Sequence, residues 1–196
     1  MIYSLEIKTE PVVEPITLTE IKTHLRIASG FTGDDDLLDV LIMTARVWAE
    51  NQCRRSFVRR TYRLRMDHFP RCDLLLPRGP VSAVTAVTAE GATVSTAIYE
   101  TDLYDMPARL RPVFGQVWPV ISTPSLNAVV VEYVAGYAPG DTSPTDYAAN
   151  VPSLVKAAIK LHVEAQYDRD DKLMELNLKQ AAALLVPLEI RDFHLE

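Results

Sequence analysis

The chain has 196 residues, 48% of them hydrophobic and 23% charged, the balance of an ordinary globular protein. Its formal net charge of -6 excludes wrapping nucleic acid by wholesale phosphate neutralisation. A chain of this length buries a core without disulfide staples, and Cys53 and Cys72, its only cysteines, form no CxxC and read as reduced thiols.

In chain order, Tyr3 to Ile7 alternates apolar and polar residues and predicts a short strand, ended by Pro11 and Pro15. The opening MIYSLEIKTE has no basic leader followed by an apolar run. No apolar stretch approaches the ~18–20 residues that span a bilayer. A soluble, intracellular protein with no membrane partner is expected. Thr17-Leu18-Thr19-Glu20 then spells a capping box, flanked by Ile16 and Ile21 at the staple positions. A helix of about ten residues should follow, with Leu18, Ile21 and Leu25 on one face.

Asp34, Asp35 and Asp36 precede a longer helix whose apolar positions are Leu37, Leu38, Leu41, Ile42, Ala45, Trp48 and Ala49. Carboxylates at a helix start are favoured by the dipole and the free amides. A hard-cation site is the competing reading, and it wants more oxygen ligands and a Gly within the loop.

From Val58 the period changes to two. Tyr62, Leu64 and Met66 alternate with Arg63, Arg65 and Asp67, a half-buried strand. Val81–Ala89 and Ala92–Ile98 read as a hairpin around Glu90-Gly91. Further short strands are expected near Leu110 and over Val129–Val134, kept short or on edges by prolines 107, 112, 119 and 124. Trp118 reads as the anchor of its loop, and Trp48 as core. After a turn-rich loop through Gly136, Pro139, Gly140, Pro144 and Asn150, Pro152 opens a helix. Its apolar stripe is Leu154, Val155, Ala158, Ile159, His162 and Ala165. A last helix is expected over about Lys172–Leu185. The predicted class is α+β: an antiparallel helical bundle from the N- and C-terminal helices with an inserted small β module. The parts are 1–57 plus 138–186 (helical), 58–137 (β) and 187–196 (tail).

Charge is uneven along the chain. Residues 53–80 carry eight arginines against Asp67 and Asp73, whereas residues 1–52 carry nine acidic and four basic side chains. The arginine belt has three readings: solvated strand faces and helix ends, a subunit interface with acidic neighbours, or nucleic-acid contact. His162 reads as a hydrogen-bonded packing histidine and His24 as an exposed one. No HExxH, GxSxG, GxxxxGK[ST] or GxGxxG occurs. The chain is therefore not expected to be an enzyme, to hold a metal or to carry a cofactor.

Six segments in order, EPITLTEIKTHLRI (14–27), DDDLLDVLIMTAR (34–46), HFPRCDLLLPRGPVSAV (68–84), Trp118-Pro119, AVVVEYVAGY (128–137) and VPSLVKAAIKLHVEAQYDRDD (151–171), carry a resemblance. Together they resemble the head–tail connector (adaptor) family of long-tailed bacteriophages and gene transfer agents, in its longer form with a β insertion. ALLVPLEIR (183–191) resembles the family's closing Leu-Leu-x-Pro-Tyr-Arg, with Leu188, Glu189 and Ile190 standing between Pro187 and Arg191. Arg54 stands where the family pattern leads one to expect Gly.

The resemblance implies a structural subunit of a ring, twelvefold like the portal it docks under. Such a ring sits in the virion neck after assembly in the host cytoplasm. It extends the DNA channel, which DNA passes without sequence-specific binding, and offers a platform to a stopper or tail-completion protein. The portal-docking element would include Leu184, Leu185, Pro187, Leu188, Ile190, Arg191 and Phe193. The subunit interface would pair Arg54, Arg55, Arg59, Arg60, Arg63 and Arg65 with acidic groups such as Asp34, Asp35 and Asp36. On that basis Arg59, Arg60, Arg63 and Arg65 changed to Glu should abolish the ring and spare the fold. The competing expectation is a non-ring assembly accessory protein whose arginine belt binds DNA or another virion protein.

Overall fold

A computed structural model of the chain describes residues 3–11, 13–122, 125–137, 151–168 and 171–190. It divides into two compact units, each assembled from separated stretches of chain: residues 1–11, 59–136 and 190–196 in one, 12–58 and 137–189 in the other. The first is built from antiparallel sheets and the second from helices, so the class is α+β.

In the helical unit, α1 (Leu18–His24) starts as its sequence dictates. The Glu20 amide donates to Thr17 Oγ1 at 3.1 Å and the Thr17 amide donates to Glu20 Oε2 at 2.8 Å, closing the capping box. Ile16 and Ile21 are both buried, as the staple requires. The helix has seven residues rather than about ten. Arg26 turns left-handed at φ 57°, and the Ile27 amide returns to the Lys22 carbonyl at 2.9 Å, a Schellman ending. Helix α2 (Asp35–Cys53) ends in the same way: Arg54 has φ 55° and the Arg55 amide donates to the Glu50 carbonyl at 3.1 Å. The expected Gly at 54 thus has a physical reason, since a residue with a Cβ is strained in this conformation.

Helices α3 (Ser153–Tyr167) and α4 (Asp171–Leu185), followed by a 3-10 turn Val186–Leu188, complete this unit among the described residues. Ile16, Ile21, Leu38, Ile42, Ala45, Ala49, Phe57, Val155, Ile159, Ala181 and Leu185 form one core. A charged network crosses it. Arg46 Nε donates to Glu14 Oε2 at 2.7 Å and Arg46 Nη1 to Glu50 Oε2 at 3.0 Å, while Glu50 Oε1 accepts from the Phe57 amide at 2.8 Å. Arg46 and Glu50 are both buried.

The sheet unit begins with β1 (Tyr3–Thr9). The sequence reading grouped residues 1–57 with the helices; here β1 pairs with β2 (Arg60–Met66) and residues 1–11 belong to the sheet unit. The remaining strands are β3 (Leu74–Leu76), β4 (Val81–Ala89), β5 (Ala92–Thr93), β6 (Tyr99–Asp102), β7 (Ala108–Pro112) and β8 (Val129–Ala135). They make a five-stranded sheet, β1-β2-β8-β4-β5, and a three-stranded sheet, β3-β7-β6. The β4–β5 turn is the expected one: Glu90 and Gly91 both have positive φ, 50° and 81°, as a type I′ hairpin requires. Beyond it, β5 is two residues long, shorter than the strand expected over 92–98.

Tyr62, Leu64, Met66, Val129, Val131 and Tyr133 line the core face of the large sheet. Tyr133 donates to the Pro77 carbonyl at 2.7 Å, and burial pushes its phenol pKa up. Trp118 does anchor its loop: it stacks on Phe69 with ring centroids 4.5 Å apart and lies 5.9 Å from Tyr99. Two sequence expectations, the loop through Pro139, Gly140, Pro144 and Asn150 and the tail positions Arg191 and Phe193, lie outside the described residues.

Candidate interaction surface

The arginines expected to form one interface are distributed across both units and play different parts. Arg63 and Arg65 lie on β2, opposite acidic residues fixed by register. Glu6, Arg63 and Glu132 stand in line across β1, β2 and β8. Arg63 donates to Glu132 Oε1 through Nε and Nη2 at 2.9 and 2.8 Å, and Arg65 Nη2 donates to Glu6 Oε2 at 2.8 Å. Lys8 closes the ladder with a 2.7 Å bond to Glu132 Oε2. Lys8 and Arg63 hold the Glu132 carboxyl below the ordinary carboxylate range. These cations are therefore occupied within the chain.

Arg60 is 6% exposed, and Arg55 lies against the Tyr137 hydroxyl at 3.5 Å. Of the six, Arg54 and Arg59 are exposed and make no ion pair or side-chain hydrogen bond among the described residues. The expectation that four glutamates at 59, 60, 63 and 65 would spare the fold needs revising. Charge reversal at Arg63 and Arg65 sets like charges against Glu6 and Glu132, and at Arg60 it places a carboxylate in a buried position.

The three aspartates sort in the same way. Asp34 accepts from the Tyr167 hydroxyl at 2.6 Å, tying the start of α2 to the end of α3. Asp35 pairs with Lys22, whose ammonium also donates to the Phe31 carbonyl at 2.7 Å. Asp36 is exposed, with no such partner among the described residues. Asp35 and Asp36 occupy the first turn of α2, where the dipole favours them, and Asp34 makes no side-chain cap. Among the described residues no group of acidic, histidine and cysteine side chains is arranged to hold a metal.

In the expected docking segment, Leu185 is fully buried in the helical core, Leu184 and Leu188 pack against it, and Pro187 is exposed. Ile190 is 6% exposed. Leu185 thus serves the fold of the helical unit.

His162 packs against Trp48 with ring centroids 4.6 Å apart and is buried. The sequence reading had it hydrogen-bonded, but Nδ1 has no partner among the described residues. Burial lowers its pKa. His24 Nε2 lies 3.0 Å from Glu164 Oε2. Cys53 is buried and its thiol pKa is pushed up to about 11, chiefly by desolvation, which holds it as the thiol near neutral pH. A depression of about 420 Å³ beside Asp67, His68, Ile121, Ser125 and Leu126 is open to solvent. Asp67 is already accepting from the Asn127 amide at 2.8 Å.

The feature that sequence periodicity missed is the outer face of α2. Leu37, Val40, Met43 and Val47 are 43%, 53%, 47% and 43% exposed. Leu37 was expected in the core. Between Asp39 and Glu50 the only charged residue is Arg46, and it is buried. A surface helix normally shows solvent a charged face. The signal was present in VLIMTARVWA (40–49) as a run too poor in charge to have a solvent side at all.

Residues 15–92 match the model of the family described as phage gp6-like head-tail connector protein. The fold matches a chain from the neck of an empty gene transfer agent particle computed with C6 symmetry, at TM-score 0.76 and 20% identity over 98% of each chain. It matches a chain from the virion of a native gene transfer agent particle at 0.74 and 20% over 98% of each. A third match is to the neck of a native particle computed with C12 symmetry, at 0.71 and 20% over 100% of this chain and 99% of the other. No curated protein matches at a significant level. The chain resembles the head–tail connector family, by sequence over residues 15–92, and shares a fold with these particle chains over nearly its whole length.

Proposed function

We propose that this chain, with its connector-family sequence over residues 15–92, is a structural subunit of a virion neck. It repeats around a ring under the portal, extends the DNA channel and joins capsid to tail. The observation that carries this reading is the match, over 98–100% of the chain, to chains of gene transfer agent necks computed with C6 and C12 symmetry. In this role the N- and C-terminal helices form an antiparallel bundle, with residues 59–136 of the sheet unit inserted between them and β1 joining that unit from ahead of α1. The portal, a stopper or tail-completion protein and other copies of the chain are its partners, and no reaction is catalysed.

The physics agrees with a passive channel lining. An acidic chain does not grip DNA, and the arginines that would have done so on β2 are neutralised by Glu6 and Glu132. That neutralisation also weighs against an accessory protein using the belt to bind DNA. The test is negative-stain imaging of the purified chain alone and mixed with its cognate portal. A ring, or a collar added to the portal, is expected. A chain that leaves the portal bare in the mixture and forms no ring alone would end the connector reading.

A further inference from the structure

We infer that neighbouring copies of this chain meet through two different apolar faces of the helical unit: the outer face of α2 on one copy and the exposed N-terminal half of α4 on the next. The inference rests on the ring reading and names the contact that would build it.

The α2 face is the stripe Leu37, Val40, Met43 and Val47. Its spacing keeps it on one side of the helix for about 15 Å, opposite the side formed by Leu38, Ile42, Ala45 and Ala49. The α4 face is Leu173 and Leu176, 49% and 50% exposed, with Met174 beside them. Both belong to one unit of one chain, and each is too apolar for a helix surface meant for water.

Charge tells the two faces apart. Asp36 and Asp39 border the α2 stripe, exposed and without an ion pair or side-chain hydrogen bond among the described residues. On α4 the exposed cation Lys179 flanks the leucines. Glu175 pairs with Lys179 across one turn at the surface, an ion pair that holds the lysine only weakly. An α2 stripe laid parallel on another α2 stripe would bring their acidic ends together, and laid antiparallel would leave Asp36 and Asp39 facing no cation. An α2 stripe laid on α4 can set Asp36 and Asp39 toward Lys179. The contact is therefore between unlike patches, the heterologous type that closes rings.

Sedimentation velocity of the full chain over a concentration series tests this with two double variants, Val40→Glu/Val47→Glu and Leu173→Glu/Leu176→Glu. All changed positions are exposed, and circular dichroism with a melting curve checks that each variant is folded. Wild type should self-associate, and each variant should lose that association by at least about a hundredfold. The decisive sample is the equimolar mixture. Each variant keeps one good face, so the mixture should form a dimer and nothing larger. A folded variant that assembles like wild type overturns the inference, and so does a mixture that stays monomeric. Wild type that is monomeric at every concentration also overturns it, because the contact is held to be intrinsic to the chain. The ring reading is judged separately, by the portal collar.

Discussion

The two units dispose of charge in opposite ways. In the sheet unit, Glu6, Arg63, Arg65, Glu132 and Lys8 form a ladder at the surface, and apolar side chains turn inward from β2 and β8. In the helical unit, Arg46, Glu50, Lys22 and His162 are buried while Leu37, Val40, Met43 and Val47 face outward. The sheet unit also exposes apolar side chains, Phe114, Val117, Val120 and Leu126 among them, and buries Arg60, so the contrast is confined to how β2 and α2 place their charges. The sequence-based expectation puts a subunit contact at the arginines, and the contact inferred above lies on the helices.

The sharpest way to break the comparison is to remove a buried charge. Arg46→Met leaves Glu50 and Glu14 without their cation. Glu50 keeps the bond from the Phe57 amide but loses its guanidinium, so the loss should be about 3–5 kcal/mol. Urea unfolding would show it as a lower midpoint. A change within 1 kcal/mol, on the order of an exposed pair, would mean the network is as solvated as the sheet ladder.

A smaller gain is expected from Arg54→Gly. Relieving a left-handed residue at the end of α2 should add about 1 kcal/mol, read as a raised melting temperature. A fall instead would show that the Arg54 side chain contributes more than its backbone strain costs.

Acid should separate the units further. Burial holds the His162 pKa below its unfolded value of about 6.5. The unfolded chain then takes up the proton first as pH falls. Its stabilising contribution is complete above that value and is lost as pH drops through the folded pKa. Replacing His162 with Leu should flatten the decline in unfolding free energy between about pH 7 and 5. An unchanged slope would assign the decline to carboxylates.

The least effect is expected from Arg63→Gln. The Arg63 side chain is partly exposed at the surface and its pairs are screened, so the melting temperature should move only slightly and converge with wild type in high salt. A large, salt-insensitive drop would overturn the contrast drawn here.

What was legible in the sequence was local. Thr17 with Glu20, Ile16 with Ile21, and Glu90-Gly91 each fix a turn of chain through neighbours, and each is found as spelled. The unexpected features depend on distant partners. Nothing near Arg63 announces that register will set it between Glu6 and Glu132, 57 positions back and 69 ahead. Periodicity assigns a helix one buried side, so it took Leu37 for core and passed over Val40, Met43 and Val47. β1 was grouped with the helices because its pairing to β2 spans the whole of α1 and α2.

That same interleaving has a consequence in time. The chain changes unit at 11/12, 58/59, 136/137 and 189/190. Synthesis therefore delivers β1 long before its neighbour β2, and α2 long before α3 covers its inner face. All eight described strands exist once residue 135 is made, so both sheets can pair before α3 has been synthesised, through contacts that are non-local and slow to close. The helical unit is therefore expected to finish last, and until α3 and α4 arrive the inner apolar face of α2 has only the α1 segment, through Ile16 and Ile21, to cover it.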